Sequence, residues 1–198
     1  QQFPNTKITC FDLSEAMLKQ SNNRNINNAQ YQLGDIDALP FEENSLDLIY
    51  SNLVVQWSND FAHCLGQIKN SLIKGGYCYL STLLDGTLDE LTQAWKMVDE
   101  NPHTNSFLRL ENIQNMLNNG GFTAVTLKTE TRILQYENVV EVMRALKGIG
   151  ANHVHGHQSQ SVTGRKLIKQ LEAGYLPFCN KNGLLNLTYQ VCYIEVIK

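Results

Sequence analysis

Two rhythms of apolar and polar residues take turns along this chain. Residues 7–11 (KITCF), 30–33 (QYQL), 46–50 (LDLIY) and 77–83 (YCYLSTL) read as short strands, rich in aliphatic and aromatic residues. Between them the period lengthens. Phe61, Leu65, Ile68, Leu72 and Ile73 recur at the spacing of one helix face, which predicts a helix over 61–73. Gly75-Gly76 is read as the stop of that helix. Ser14 predicts an N-cap for a helix over 15–20, with Glu15 in its first turn. In the second half, helices are expected over 88–100, 110–117, 139–147 and 166–173. Strands are expected over 122–134 and 185–197.

Strands that alternate with helices point to an α/β fold, a mostly parallel sheet with helices on both faces. The sequence has 198 residues, 42% of them hydrophobic and 18% charged, which suits one globular domain. The net charge of −3 excludes a generally basic nucleic-acid binder. No apolar run reaches the roughly 20 residues that a membrane helix needs, and no signal-peptide pattern opens the chain. Five cysteines without a CxxC pair read as reduced residues of a cytoplasmic protein. His153, His155 and His157 would share one face of a strand. The Gly and Asn around them read as loop, and no metal site is expected.

Open parallel sheets bind ligands outside the carboxyl ends of their strands. Three polar groups fall there: Asp12 after the first strand, Asp35 after the second, and Ser51-Asn52 after the third. A carboxylate at the position of Asp12 can accept hydrogen bonds from both hydroxyls of a ribose, and Asp35 can accept from an adenine amino group. Either aspartate could equally serve as a turn cap.

These segments resemble those of class I S-adenosylmethionine-dependent methyltransferases. Phe11-Asp12-Leu13-Ser14-Glu15-Ala16-Met17-Leu18 is similar to their D-x-S-x-x-M-L segment, and Gly34-Asp35-Ile36-Asp37-Ala38-Leu39-Pro40-Phe41 to their G-D-x-x-x-L-P-F segment. Leu46-Asp47-Leu48-Ile49-Tyr50-Ser51-Asn52 is similar to their F-D-x-V-x-S-N strand. The resemblance implies a Rossmann-like fold and S-adenosyl-L-methionine as cofactor, held by Asp12, Leu13, Met17, Asp35, Ile36, Asn52 and Leu53. Three further segments resemble the malonyl-[acyl-carrier protein] O-methyltransferases of biotin synthesis: 52–57 (NLVVQW), 91–108, and 143–153 (MRALKGIGANH). They imply a single methyltransferase domain over 1–198, partial at its N-terminus, with helical lid insertions at about 85–108 and 137–178. The family's first strand and glycine-rich loop need about 30 residues and would lie before residue 7. Their absence leads to the expectation that this chain alone is weakly active or inactive.

The implied acceptor is the carboxylate of a malonyl thioester on an acyl carrier protein. Such a group is ionised at neutral pH and needs no general base. An arginine fork suits it, and Arg144 is the first candidate, with Lys147 second. Trp57 and Trp95 are candidates for the wall of the catalytic site, with the core the favoured place for Trp95. His103 is placed either on the substrate or at a turn. Residues 128–169 hold seven basic groups (Lys128, Arg132, Arg144, Lys147, Arg165, Lys166, Lys169) against three acidic ones (Glu130, Glu137, Glu141) in a chain that is acidic as a whole. Acyl carrier proteins are acidic, so this charge suits such a partner. Three other readings stay open on the sequence alone. One is a methyltransferase for another small molecule such as a quinone precursor. Another is a non-catalytic domain that binds an acidic protein. The third is a nicotinamide enzyme in which Asp12 holds the ribose.

Overall fold

The structure, a computed structural model, describes residues 6–148 and 164–198. The three histidines at 153, 155 and 157, and much of the expected second lid insertion, lie outside the described residues. The chain forms two compact units.

The first unit contains residues up to Ser81, together with Gln114–Thr126 and Ile194–Lys198. Strand β1 (Ile8–Asp12) pairs in parallel with β2 (Ala29–Leu33), and helix α1 (Glu15–Asn22) joins them. Ser14 caps α1 as expected, its hydroxyl accepting from the Met17 N–H. Strand β3 (Leu46–Asn52) pairs in parallel with β4 (Leu72–Leu83), and helix α2 (Phe61–Ser71) links these two. Asp60 caps α2 by accepting from the His63 N–H at 2.9 Å. The helix buries Phe61, Cys64, Leu65 and Ile68, the apolar stripe visible in the sequence.

Gly75-Gly76 does not stop a helix. α2 ends at Ser71, β4 starts at Leu72 with no intervening loop, and both glycines lie inside the strand. The pairing of β3 with β4 shifts register between Leu46 and Leu48, and Gly75 takes φ +79°. A Cβ on Gly76 would stand 2.9 Å from the Ile73 carbonyl oxygen and 3.2 Å from that of Asp47. The glycines therefore belong to a bulge with close backbone approach.

The order of the larger sheet is β3-β4-β6-β5, with β5 spanning Ala124–Tyr136 and β6 spanning Leu185–Ile197. The Gly75 N–H donates to the Lys198 carbonyl and the Leu84 N–H to that of Gln190, so β6 runs antiparallel to β4. The Thr123 N–H donates to Ile197, while Thr131 meets Gln190, so β5 also runs antiparallel to β6. The sheet is mixed: parallel where a helix crosses between strands, antiparallel at its far edge.

The second unit contains Thr82–Ile113 and Leu127–Tyr193. Its core gathers Leu91, Ala94 and Trp95 of α3 (Asp89–Lys96), Val142 and Leu146 of α5 (Val139–Gly148), Leu171 and Tyr175 of α6 (Arg165–Tyr175), and Leu187 of β6. Helix α4 (Leu110–Asn119) precedes β5. The expected helix over 88–100 is shorter at both ends. Leu88 takes a left-handed φ of 59°, and beyond Lys96 the Asp99 side chain accepts from the Asn101 N–H, which turns the chain. Among the described residues, no helix is long and apolar enough to cross a membrane.

Helices α3 and α6 approach each other through glycine: a Cβ on Gly174 would stand 2.7 Å from the Ala94 carbonyl oxygen. Gly66, on the exposed side of α2, has open space around it. Gly174→Ala is expected to destabilise the protein by about 1–3 kcal/mol. Gly66→Ala is expected to stabilise it by about 0.5–1 kcal/mol. Urea unfolding of both variants checks the pair.

Candidate functional site

Each residue of the anticipated rim sits at the carboxyl end of its strand, and hydrogen bonds tie these ends together. Asp12 is the last residue of β1. Its Oδ1 accepts from the Ser14 N–H at 2.7 Å, which fixes the carboxylate, while Oδ2 has no partner among the described residues. The Gly34 N–H donates to the Asp12 carbonyl at 3.1 Å, joining the ends of β1 and β2. A Cβ on Gly34 would lie 2.4 Å from the Phe11 ring, so a larger residue there requires that ring to move. That ring in turn meets Phe41 at 5.5 Å between centroids.

Asp35 is exposed, and its Oδ1 accepts from the Asp37 N–H at 2.9 Å in a turn. Ile36 beside it is half-buried. Asp37 is the residue that holds the loop. Its carboxylate accepts from the Ser58 hydroxyl, from the Asn59 N–H at 2.9 Å and from the Asn59 side-chain amide at 2.6 Å. Gln67 of α2 completes the clamp, accepting from the Leu39 N–H at 2.8 Å and donating to the Asp37 carbonyl at 3.1 Å. The loop after β2 is thus fastened to the segment after β3.

Asn52 ends β3, and its side-chain oxygen accepts from the Ser81 hydroxyl at 2.7 Å. Its amide nitrogen has no hydrogen-bond partner among the described residues. The Leu53 N–H donates to the carbonyl and the hydroxyl of Ser81, which holds Leu53 at φ 53°, a left-handed conformation that costs a non-glycine residue about 1–2 kcal/mol. Gln56 donates to the Leu53 carbonyl at 2.7 Å, and its own side-chain oxygen is buried without a partner among the described residues. Trp57 ends the short 3-10 turn Val55–Trp57 on the same segment and is half-buried. Leu13 and Met17 are 70% and 54% exposed, an apolar surface beside Asp12.

The remaining candidates belong to the second unit. His103 is committed within the protein: its Nε2 lies 2.8 Å from Asp99 Oδ1, and its ring stacks on Trp95 at 3.7 Å. These contacts fit the turn reading of His103. Trp95 is buried in the core, as anticipated. Arg144 and Lys147 are exposed on α5 and make no ion pair among the described residues. Within those residues, no group of three His, Cys, Asp or Glu is placed to hold a metal ion.

Residues 1–80 match the methyltransferase domain family. Over 186 residues the chain is 37% identical to the malonyl-[acyl-carrier protein] O-methyltransferase of Salmonella typhimurium, covering 94% of this chain and 71% of that protein. The chain belongs to the malonyl-[acyl-carrier protein] O-methyltransferase family. It is also 36% identical over 208 residues to the biotin biosynthesis bifunctional protein BioHC of Teredinibacter turnerae, and spans 36% of that longer protein. Among solved structures, the YcgJ protein of Bacillus subtilis superposes with a TM-score of 0.66 at 16% identity, over 98% of this chain and 84% of that one. A Bacillus halodurans protein solved as a candidate methyltransferase superposes equally well, at 0.66 and 16% identity over 98% and 83% of the two chains. Those likenesses establish the Rossmann-like methyltransferase fold.

In this member of the malonyl-[acyl-carrier protein] O-methyltransferase family, Asp37, Gln67 and Ser81 position the rim, and sequence reasoning gave them no role. Asp37 carried a signal, since it lies inside the G-D-x-x-x-L-P-F segment. Gln67 and Ser81 look like ordinary helix and strand residues.

Burial pushes the Asp37 carboxyl up, but hydrogen bonds from Ser58 and Asn59 outweigh it and hold the group below its ordinary value of 3.8. A lowered folded pKa stabilises above the ordinary value and ceases to do so as pH falls through the folded one. Asp37→Asn is therefore expected to lower the urea midpoint at pH 7, and the gap to the wild type is expected to shrink towards pH 3. Denaturation curves at the two pH values check this.

Proposed function

We propose that this protein transfers a methyl group from S-adenosylmethionine to the free carboxylate of a malonyl thioester carried on an acyl carrier protein, giving the methyl ester that primes pimeloyl synthesis for biotin. The observation that carries the cofactor half is Asp12: one carboxylate oxygen is tied to Ser14, and the other is unpartnered among the described residues at the carboxyl end of β1. This arrangement fits a ribose diol. The Oδ2 of Asp35, without a partner among the described residues, the half-buried Ile36 and the exposed side chains of Leu13 and Met17 fit an adenine, which is flat, apolar on its faces and carries an amino group at its edge. The Asn52 amide nitrogen, with its oxygen fixed by Ser81, is a spare donor among the described residues, and Leu53 follows it at the same rim. The relatives' names, and the segments at 91–108 and 143–153, support the acceptor half.

Bound S-adenosylmethionine would supply an electrophilic methyl group on a sulfonium. The protein's own residues then have little proton chemistry to do, because a malonyl carboxylate is already ionised near pH 7. Their task is to align the acceptor and exclude water, and such positioning can supply roughly 7–11 kcal/mol. The guanidinium of Arg144 is read as the fork that holds the carboxylate, with Lys147 as an auxiliary charge. Trp57 is read as an apolar wall of the catalytic site. The segments 85–108 and 137–178 are read as the lid of a single methyltransferase domain. Free cysteines, with Cys64 and Cys78 pushed up to about 12 by burial, fit a reducing cytoplasm.

The test is methyl transfer by the full-length protein to malonyl-acyl carrier protein and to a panel of phenols, followed with a labelled methyl donor. Methylation of the malonyl thioester alone is expected. Arg144→Ala is expected to lower kcat/KM by about 2 kcal/mol, roughly 30-fold. Methylation of phenols without malonyl would overturn the acceptor assignment.

A further inference from the structure

We infer that the outward face of α6 is a docking surface for the acidic carrier protein that presents the malonyl group, an inference that rests on the proposed function and locates its protein partner. Helix α6 sorts its residues by face. Leu167, Leu171 and Tyr175 turn inward to the core shared with α3 and α5. Lys166 and Lys169 are exposed on the opposite side and make no ion pair among the described residues. Glu172 is the acidic residue of this helix.

A lysine that faces solvent with no internal partner adds nothing to folding that a neutral polar residue would not. It does set the potential at the surface. The neighbouring helix α5 carries Arg144 and Lys147, exposed and without ion pairs among the described residues, against the single half-buried Glu141 of its first turn, so its charge is also net positive. The chain as a whole is acidic, with a net charge of −3, so this cationic surface stands against the general balance. An acidic helix is the complement of such a face. Attraction of this kind raises the encounter rate and orients the partner, and it weakens as salt screens it.

The test is a binding titration of the full-length protein with fluorescently labelled malonyl-acyl carrier protein at low and at physiological salt. Lys166→Glu/Lys169→Glu is expected to weaken binding about tenfold at low salt and to flatten the salt dependence. Lys166→Gln/Lys169→Gln should fall between this variant and the wild type. A control with the same charge change on exposed lysines of the first unit, Lys7→Glu/Lys74→Glu, should bind like the wild type. Equal weakening by the control, or no effect of the α6 variant with its thermal melt unchanged, overturns the proposal. So does a parallel loss of affinity for malonyl-coenzyme A, which carries no protein. Salt-sensitive carrier binding at α6 without methyl transfer would remove the proposed reaction and keep the surface. Methyl transfer with carrier binding indifferent to the α6 lysines would remove the surface and keep the reaction.

Discussion

The rim depends on one carboxylate that ties two loops together. Asp37 gathers the Ser58 hydroxyl and both nitrogen donors of Asn59, while Gln67 grips the Asp37 carbonyl and the Leu39 N–H that follows it. Without this knot the loop after β2 and the segment after β3 would be separate surface turns. With it, Asp35, Ile36 and the Asn52–Trp57 segment keep a common end of the fold. A binding site needs its ligand-facing groups held within a fraction of an ångström, and hydrogen bonds from neighbouring elements do that better than loop backbone alone.

The same division of labour recurs at the other two strand ends. Asp12 spends one oxygen on Ser14 and leaves one unpartnered among the described residues, and Asn52 spends its oxygen on Ser81 while its nitrogen is a spare donor. Each polar side chain is half anchor and half donor or acceptor. Leu53 adds backbone strain held in place by two hydrogen bonds from its N–H to Ser81. Strain of this kind persists only where the surroundings enforce it, and it clusters at sites that work.

Much of the first unit was legible in the sequence because its signals are local. Ser14 caps α1, the 61/65/68 stripe makes α2, and Asp12, Asp35 and Asn52 fall at strand ends as the alternation of strands and helices requires. The misreading of Gly75-Gly76 has a physical source. A glycine pair reads the same way whether it ends a helix or lets a strand bulge against Asp47, and only the pairing with β3 tells the two apart. The antiparallel course of β5 and β6 depends on long-range pairing, which no local pattern encodes. His103 shows the same limit. Its sequence context allows a substrate contact or a turn, and its stacking on Trp95 with Asp99 at its edge is a long-range arrangement that the local pattern does not encode.

The proposed function requires the Asp12 carboxylate to hold the ribose of S-adenosylmethionine. The most direct measurement is calorimetric titration of S-adenosylhomocysteine into the full-length protein and its Asp12→Ala variant. Loss of charge-assisted hydrogen bonds to a diol should weaken binding by about 2 kcal/mol, roughly 30-fold, with the fold unchanged by circular dichroism. Equal affinity in the two proteins would contradict it.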